Sequence, residues 1–186
     1  MMSLFKKSLI VFSFLIVTFA SQANNDLASL KARYFDAARE GNQAMLEAFY
    51  DAGLDANVAD EKGYTALILA AYHGHTDTVD YLINTAKANP CQEDNRGNTA
   101  LMGAIFKGHV SVANQLVFAD CNIDEENEQG QTALMFASLF DRQEIINTLI
   151  DKGADTHHKD KAGNTVADIA LSQGNYALAK ALKDGE

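Results

Sequence analysis

Apolar residues along this chain fall into short clusters spaced for one face of a helix. Counting from Gly74, Gly108 and Asp141, the fourth, fifth, eighth and ninth places carry three matching sets. These are Thr78, Val79, Leu82 and Ile83, then Val112, Ala113, Leu116 and Val117, then Ile145, Ile146, Leu149 and Ile150. Such spacing lines a single stripe of a helix with 3.6 residues per turn. A first helix is predicted ahead of each turn, with Leu67, Ala70 and Ala71, then Leu101, Ala104 and Ile105, then Leu134 and Ala137 on its apolar side. The small alanines let paired helices approach closely. Between the two helices stand Gly41, Gly74, Gly108, Asp141 and Gly174, residues that suit a left-handed backbone. All these apolar positions are expected in the core.

The pattern is periodic. The segment GYTALILAAYHGH from Gly63 returns as GNTALMGAIFKGH from Gly97, GQTALMFASLFDR from Gly130 and GNTVADIALSQGN from Gly163, at intervals of 34, 33 and 33 residues. A unit of that length cannot bury its own apolar face, so the copies must stack into a solenoid. The repeat resembles the ankyrin repeat, whose threonine-proline-leucine-histidine signature corresponds here to Thr65-Ala66-Leu67-Ile68, Thr99-Ala100-Leu101-Met102, Thr132-Ala133-Leu134-Met135 and Thr165-Val166-Ala167-Asp168. Proline and histidine are missing from all four copies. Threonine still caps the first helix by accepting a backbone N–H bond, and alanine is a strong helix former. The resemblance implies an all-α solenoid of about five helix-turn-helix units with short β-turn fingers. The units are placed at approximately 27–59, 60–93, 94–126, 127–159 and 160–186.

The end units depart from the pattern. Ala32-Arg33-Tyr34-Phe35-Asp36 stands where the threonine signature would be in the first. In the last, Lys183 replaces Ile83, Val117 and Ile150, and Asp168 replaces Met102 and Met135. Polar outer faces of this kind predict capped ends that stop further stacking.

A different sequence precedes the repeats. Lys6 and Lys7, the apolar run from Leu9 to Ala20 and the small residues of Ser21-Gln22-Ala23 read as a secretory signal peptide over 1–23, leaving 24–186 as the repeat domain. The run is short for a membrane span, which needs about 20 apolar residues. An uncleaved N-terminal anchor is the alternative, and no cysteine follows the run to carry a lipoprotein anchor. The mature chain is therefore expected in the periplasm or secreted. Loss of the two lysines takes the net charge from −10 to −12. A field of that sign repels phosphate backbones and anionic lipid, which argues against binding of nucleic acid or membrane by the mature domain. The chain is expected to be a monomer.

In ankyrin-like stacks, partners bind a concave groove lined by the finger tips and the exposed side of the first helices. By position, the tips here are Glu61, Lys62 and Tyr64, then Asn95, Arg96 and Asn98, then Glu128, Gln129 and Gln131, then Lys161 and Asn164. The helix positions just before the turn are Tyr72 and His73, Phe106 and Lys107, Leu139 and Phe140, and Ser172 and Gln173. Tyr64, Tyr72, Phe106, Leu139 and Phe140 are expected to form an apolar stripe across the groove, with His73, Arg96 and Lys107 beside it. Aromatic anchors within a polar rim are the anatomy of a protein-binding hot spot. The competing account has the rings merely shielding the helices beneath them.

Cys91 and Cys121 sit in the loops leaving adjacent units. An oxidising compartment and an even count favour a disulfide; two small buried residues and a redox-active pair are the other readings. His75 and His109, at the entry to second helices, are expected to hydrogen-bond within their own repeat. His157 and His158 are adjacent and lack metal-ligand spacing, so a solvated loop is expected and no metal. The acidic cluster Asp120, Asp124, Glu125, Glu126 and Glu128 lacks the glycine and ligand order of a calcium loop. No phosphate loop, nucleophile elbow or paired-histidine zinc helix is present. The expectation is a non-catalytic protein-binding scaffold without a cofactor. The chain also resembles exported bacterial ankyrin proteins associated with catalases. That resemblance implies, as the alternative, an accessory factor for a haem enzyme in peroxide defence, haem- or redox-linked.

Overall fold

A computed structural model describes residues 26–184; the leader read over 1–23 lies outside the described residues. Among the described residues ten helices follow one another. They are α1 over 26–40, α2 (Gln43–Asp51), α3 (Ala66–His73), α4 (Thr76–Asn84), α5 (Ala100–Lys107), α6 (Val110–Val117), α7 (Ala133–Leu139), α8 (Gln143–Asp151), α9 (Val166–Ser172) and α10 (Tyr176–Asp184). Helices α3, α5, α7 and α9 pack side by side as one row, and α4, α6 and α8 as a second. The fold is an all-α ankyrin-type solenoid.

Local chemistry starts and stops each inner helix. Thr65, Thr99, Thr132 and Thr165 accept from the backbone N–H groups of Ile68, Met102, Met135 and Asp168, so threonine caps each helix without a proline. Asp168 adds a reciprocal bond to the Thr165 N–H. Those Thr165 contacts, from its backbone N–H and its hydroxyl, hold the Asp168 carboxyl below the usual carboxylate range. Exposed Asp168 thus replaces the buried Met102 and Met135, and exposed Lys183 the apolar Ile83, Val117 and Ile150, at the end of the stack. The turn residues Gly41, Gly74, Gly108, Asp141 and Gly174 all adopt positive φ, from 52° at Asp141 to 80° at Gly74.

Glycine answers a second demand at two of these turns. The His75 Nε2–H donates to the Arg39 carbonyl (2.7 Å) and the His109 Nε2–H to the Tyr72 carbonyl (3.1 Å). A Cβ on Gly41 would lie 2.6 Å from the His75 ring, and one on Gly74 2.6 Å from the His109 ring. The expectation of bonds within the repeat is corrected: each ring reaches back and keys its helix pair to the preceding one. Arg142 does the same, its Nε donating to the Ile105 carbonyl at 3.3 Å.

The helix stripes form the core. Val79, Leu82, Val112, Ala113, Leu116, Ile145, Ile146 and Leu149 are buried. The ninth place is less uniform. Val117 is buried, Ile83 is half-buried and Ile150 is 36% exposed. That place lies a further 100° round the helix from the eighth, at the margin of the stripe, so its burial depends on what the next loop covers. Leu101 is likewise only half-buried.

Each finger is held by one acidic or amide side chain. Asp60 Oδ1 accepts from the Lys62 and Tyr64 N–H groups, Asp94 Oδ1 from Arg96 and Asn98, Asn127 Oδ1 from Gln129 and Gln131, and Asp160 Oδ1 from Ala162 and Asn164. Partial burial pushes the Asp160 carboxyl up, but hydrogen bonds from Asn164, Ala162 and Gly163 outweigh it and hold the carboxyl low. Successive fingers join through main-chain bonds, Asn95 N–H to the Lys62 carbonyl, Glu128 to Arg96 and Lys161 to Gln129, at 2.8–2.9 Å. The Asn95 amide adds a bond to the Glu61 carbonyl and the Asn127 amide one to Asn98 Oδ1. In the loops beyond α4 and α6, Cys91 and Cys121 lie at bonding distance, with S–S 2.06 Å and Cα–Cα 5.5 Å.

Candidate functional site

The inner helices and the fingers enclose a groove of about 560 Å³. Its floor comes from α3, α5 and α7, through Ile68, Leu69, Met102, Gly103 and Phe136. Tyr72 and Phe106 rise at the helix ends, and Lys62, Tyr64, Arg96, Asn98, Gln129 and Gln131 supply the finger side. The left-handed turns explain the arrangement. By ending each inner helix abruptly, they leave its last side chains standing at the mouth of the groove instead of continuing under the next turn.

Those side chains form an aromatic row. The Tyr72 and Phe106 rings stack with centroids 6.1 Å apart and planes at 17°. Phe106 meets the edge of Phe140 at 5.0 Å, and Phe140 meets Phe136 at 6.2 Å. Offset and edge contacts at these separations are favourable geometries for aromatic pairs. Phe106 nevertheless stays 43% exposed. The Lys107 ammonium sits 5.1 Å from the Tyr72 ring centre, a cation–π contact. His73 lies against Tyr72 at 5.5 Å and stacks near His75 at 6.3 Å. Desolvation, then the neighbouring His75, Arg39 and Lys107, lower its pKa and disfavour the imidazolium.

Of the residues expected to bind a partner, Tyr64, Tyr72, His73, Arg96 and Phe106 line the groove. Lys107 and Phe140 do not line it, but each touches a ring of the row. The expectation of an exposed stripe is corrected: Phe106 alone of its five members is exposed, Tyr64, Tyr72, Leu139 and Phe140 are half-buried, and Tyr64 and Leu139 pack against the core. Leu139 is the last residue of α7, where its neighbour Phe140 takes the cap position instead of a glycine. His158 Nε2–H donates to the Gly130 carbonyl at 3.0 Å with Glu126 nearby, while His157 lies beside Asp155; the two rings engage different partners.

Several groove residues escape a tip-and-terminus reading of the sequence. Phe136 and Gly103 occupy the same place in successive units as Leu69, six residues after Gly130, Gly97 and Gly63. Gly103 is the exception in that column. A glycine inside a helix costs roughly 1 kcal/mol relative to alanine. Its column, compared across units, was the available signal. Arg39 also lines the groove, paired with Asp36 at 2.8 Å and Asp60 at 3.7 Å.

Comparison with known proteins agrees with this geometry. A family model described as ankyrin repeats in three copies matches residues 35–127 and again 110–186. An ankyrin repeat protein of Pseudomonas aeruginosa is 51% identical over 45 residues, covering 24% of this chain and 26% of its own length. The human espin-like protein is 40% identical over 55 residues, covering 30% of this chain and 6% of its own. The chain thus spans about a quarter of the first relative and a small part of the second. With both matches of the family model falling on the stacked helix pairs and their fingers, the chain belongs to the ankyrin-repeat family.

Proposed function

We propose that the protein is a non-catalytic scaffold that holds another protein in its concave groove, and that it does so in the periplasm after export. One observation carries the binding reading. Phe106, at the centre of a row of touching rings, remains 43% exposed above a groove rimmed by polar finger residues. Soluble proteins tend to keep such apolar surface for an interaction site, and a buried aromatic anchor inside a polar rim is where binding energy concentrates. Export is supported by the basic start and compact apolar run of the leader.

The test is crosslinking in the native envelope followed by mass spectrometry, comparing the parent with a Tyr72→Ala/Phe106→Ala/Phe140→Ala variant. The parent is expected to yield a crosslinked partner in the periplasmic fraction, and the variant to lose it while keeping its helical circular dichroism. An equal yield from the folded variant would remove the aromatic row from the mechanism.

A further inference from the structure

We infer that the hollow over Gly103 receives one bulky apolar side chain from an extended acidic segment of the partner, whose carboxylates meet Lys62 and Arg96. This rests on the groove reading above and adds the chemistry of what the groove holds.

Folding does not explain the glycine. Gly41, Gly63, Gly74 and Gly97 all have positive φ, and a Cβ on any of them would lie within 3.0 Å of a neighbour. Gly103 has neither constraint. It lies within α5, and a Cβ there would meet only the Tyr72 ring, at 3.8 Å, an ordinary contact. An alanine would fit and would favour the helix. What glycine does accomplish is a dip in the groove floor. The equivalent residues on either side are Leu69 and Phe136, and Tyr72 and Phe106 stand over the gap. The Tyr72 ring borders the dip, 3.8 Å from where a Cβ would stand, and Leu69, Met102 and Phe136 make its surroundings apolar.

The charge of the groove runs against that of the molecule. The chain has a net charge of −10. Yet among the ionised side chains lining the groove Arg39 is paired with Asp36 and Asp60, which leaves the cations Lys62 and Arg96 against the single acid Asp94. Asp94 is turned inward, accepting from the Arg96 and Asn98 N–H groups and from the Asn98 amide. Lys62 and Arg96 are exposed and stand one unit apart on the inner side of their fingers, whereas Glu61 and Glu128, one place earlier in theirs, do not line the groove. An acidic strand laid along the fingers would meet two cations one unit apart and present a side chain to the dip in the Arg96 unit. Complementary charge of this kind selects partners and sets register more than it adds affinity.

The test uses fluorescein-labelled nonapeptides of alternating aspartate and glutamate with a central leucine, a central alanine, or lysines in place of all the acids. Binding is followed by anisotropy at 100 mM salt. The acidic leucine peptide is expected to bind the parent best. Lys62→Glu/Arg96→Glu should weaken it about tenfold through two reversed rim charges. Gly103→Leu should weaken it about tenfold and erase the preference for leucine over alanine, since the dip is then filled. Gly103→Ala should melt above the parent and still bind more weakly, which separates a binding effect from misfolding. A lysine or alanine peptide that binds the parent equally well overturns the inference. So does acidic binding indifferent to either variant, or no binding by any peptide. None of these results touches the groove reading, which the Tyr72→Ala/Phe106→Ala/Phe140→Ala variant decides by itself.

Discussion

Replacing Gly74 by alanine tests how the helix pairs are keyed to one another. The backbone at Gly74 has φ +80°, a region that costs an L-residue about 1–2 kcal/mol. The new Cβ would also fall 2.6 Å from His109 Nδ1 and 2.9 Å from its Cγ, so the ring must leave its place. In leaving it surrenders the 3.1 Å bond to the Tyr72 carbonyl, worth about 1 kcal/mol net. The expected loss is therefore about 2–3 kcal/mol in urea unfolding followed by circular dichroism. Gly153→Ala is the control. Its φ is +87°, but nothing lies within 4 Å, so only the backbone cost of about 1–2 kcal/mol applies. A double-mutant cycle with His109→Ala should return a coupling of about 1 kcal/mol between Gly74 and His109. If Gly74→Ala loses no more than Gly153→Ala, or the coupling vanishes, the histidine does not key the stack.

Replacing Cys91 and Cys121 by serine should cost about 3.6 kcal/mol on the chain-entropy model, given the 30-residue separation; two alkylatable thiols in unreduced, denatured parent would refute the bridge. Leu116→Ala, at a buried position, should cost about 3 kcal/mol and loosen the helix pairs on both sides; a parental melting curve would contradict the stripe assignment. Acid should destabilise the fold. Asp160 and Asp168 titrate below their ordinary range when folded, so their contribution is present above about pH 4 and lost as pH falls through the folded values. His73 acts in the same direction, since its lowered pKa makes the unfolded chain take up the proton first below about pH 6.5. Asp168→Asn should flatten the stability–pH curve below pH 4, and an unchanged slope would oppose the capping account.

Much of the architecture was legible because it is written in spacing. The threonine caps, the left-handed turns and the fourth, fifth and eighth places of each stripe depend only on neighbours within a turn or two of helix. Contacts between units were harder to read. His75 and His109 were expected to bond locally, but the space over Gly41 and Gly74 belongs to the next unit, and only stacking shows that a ring fills it. Leu139 looked like Tyr72 and Phe106 in its column. It packs against the core nonetheless, a contact that its spacing alone does not reveal. Gly103 and Phe136 matter through the floor that three helices share, which no single helix period reveals.

The fingers are tied together by main-chain bonds between Lys62 and Asn95, Arg96 and Glu128, and Gln129 and Lys161. The side chains of Lys62, Arg96 and Gln129 take no part in those bonds, whereas the Asn95 amide adds one of its own to the Glu61 carbonyl. Drift at Lys62, Arg96 or Gln129 can rewrite what is gripped while leaving the framework intact, so closely similar scaffolds can diverge in clientele without passing through an unfolded ancestor.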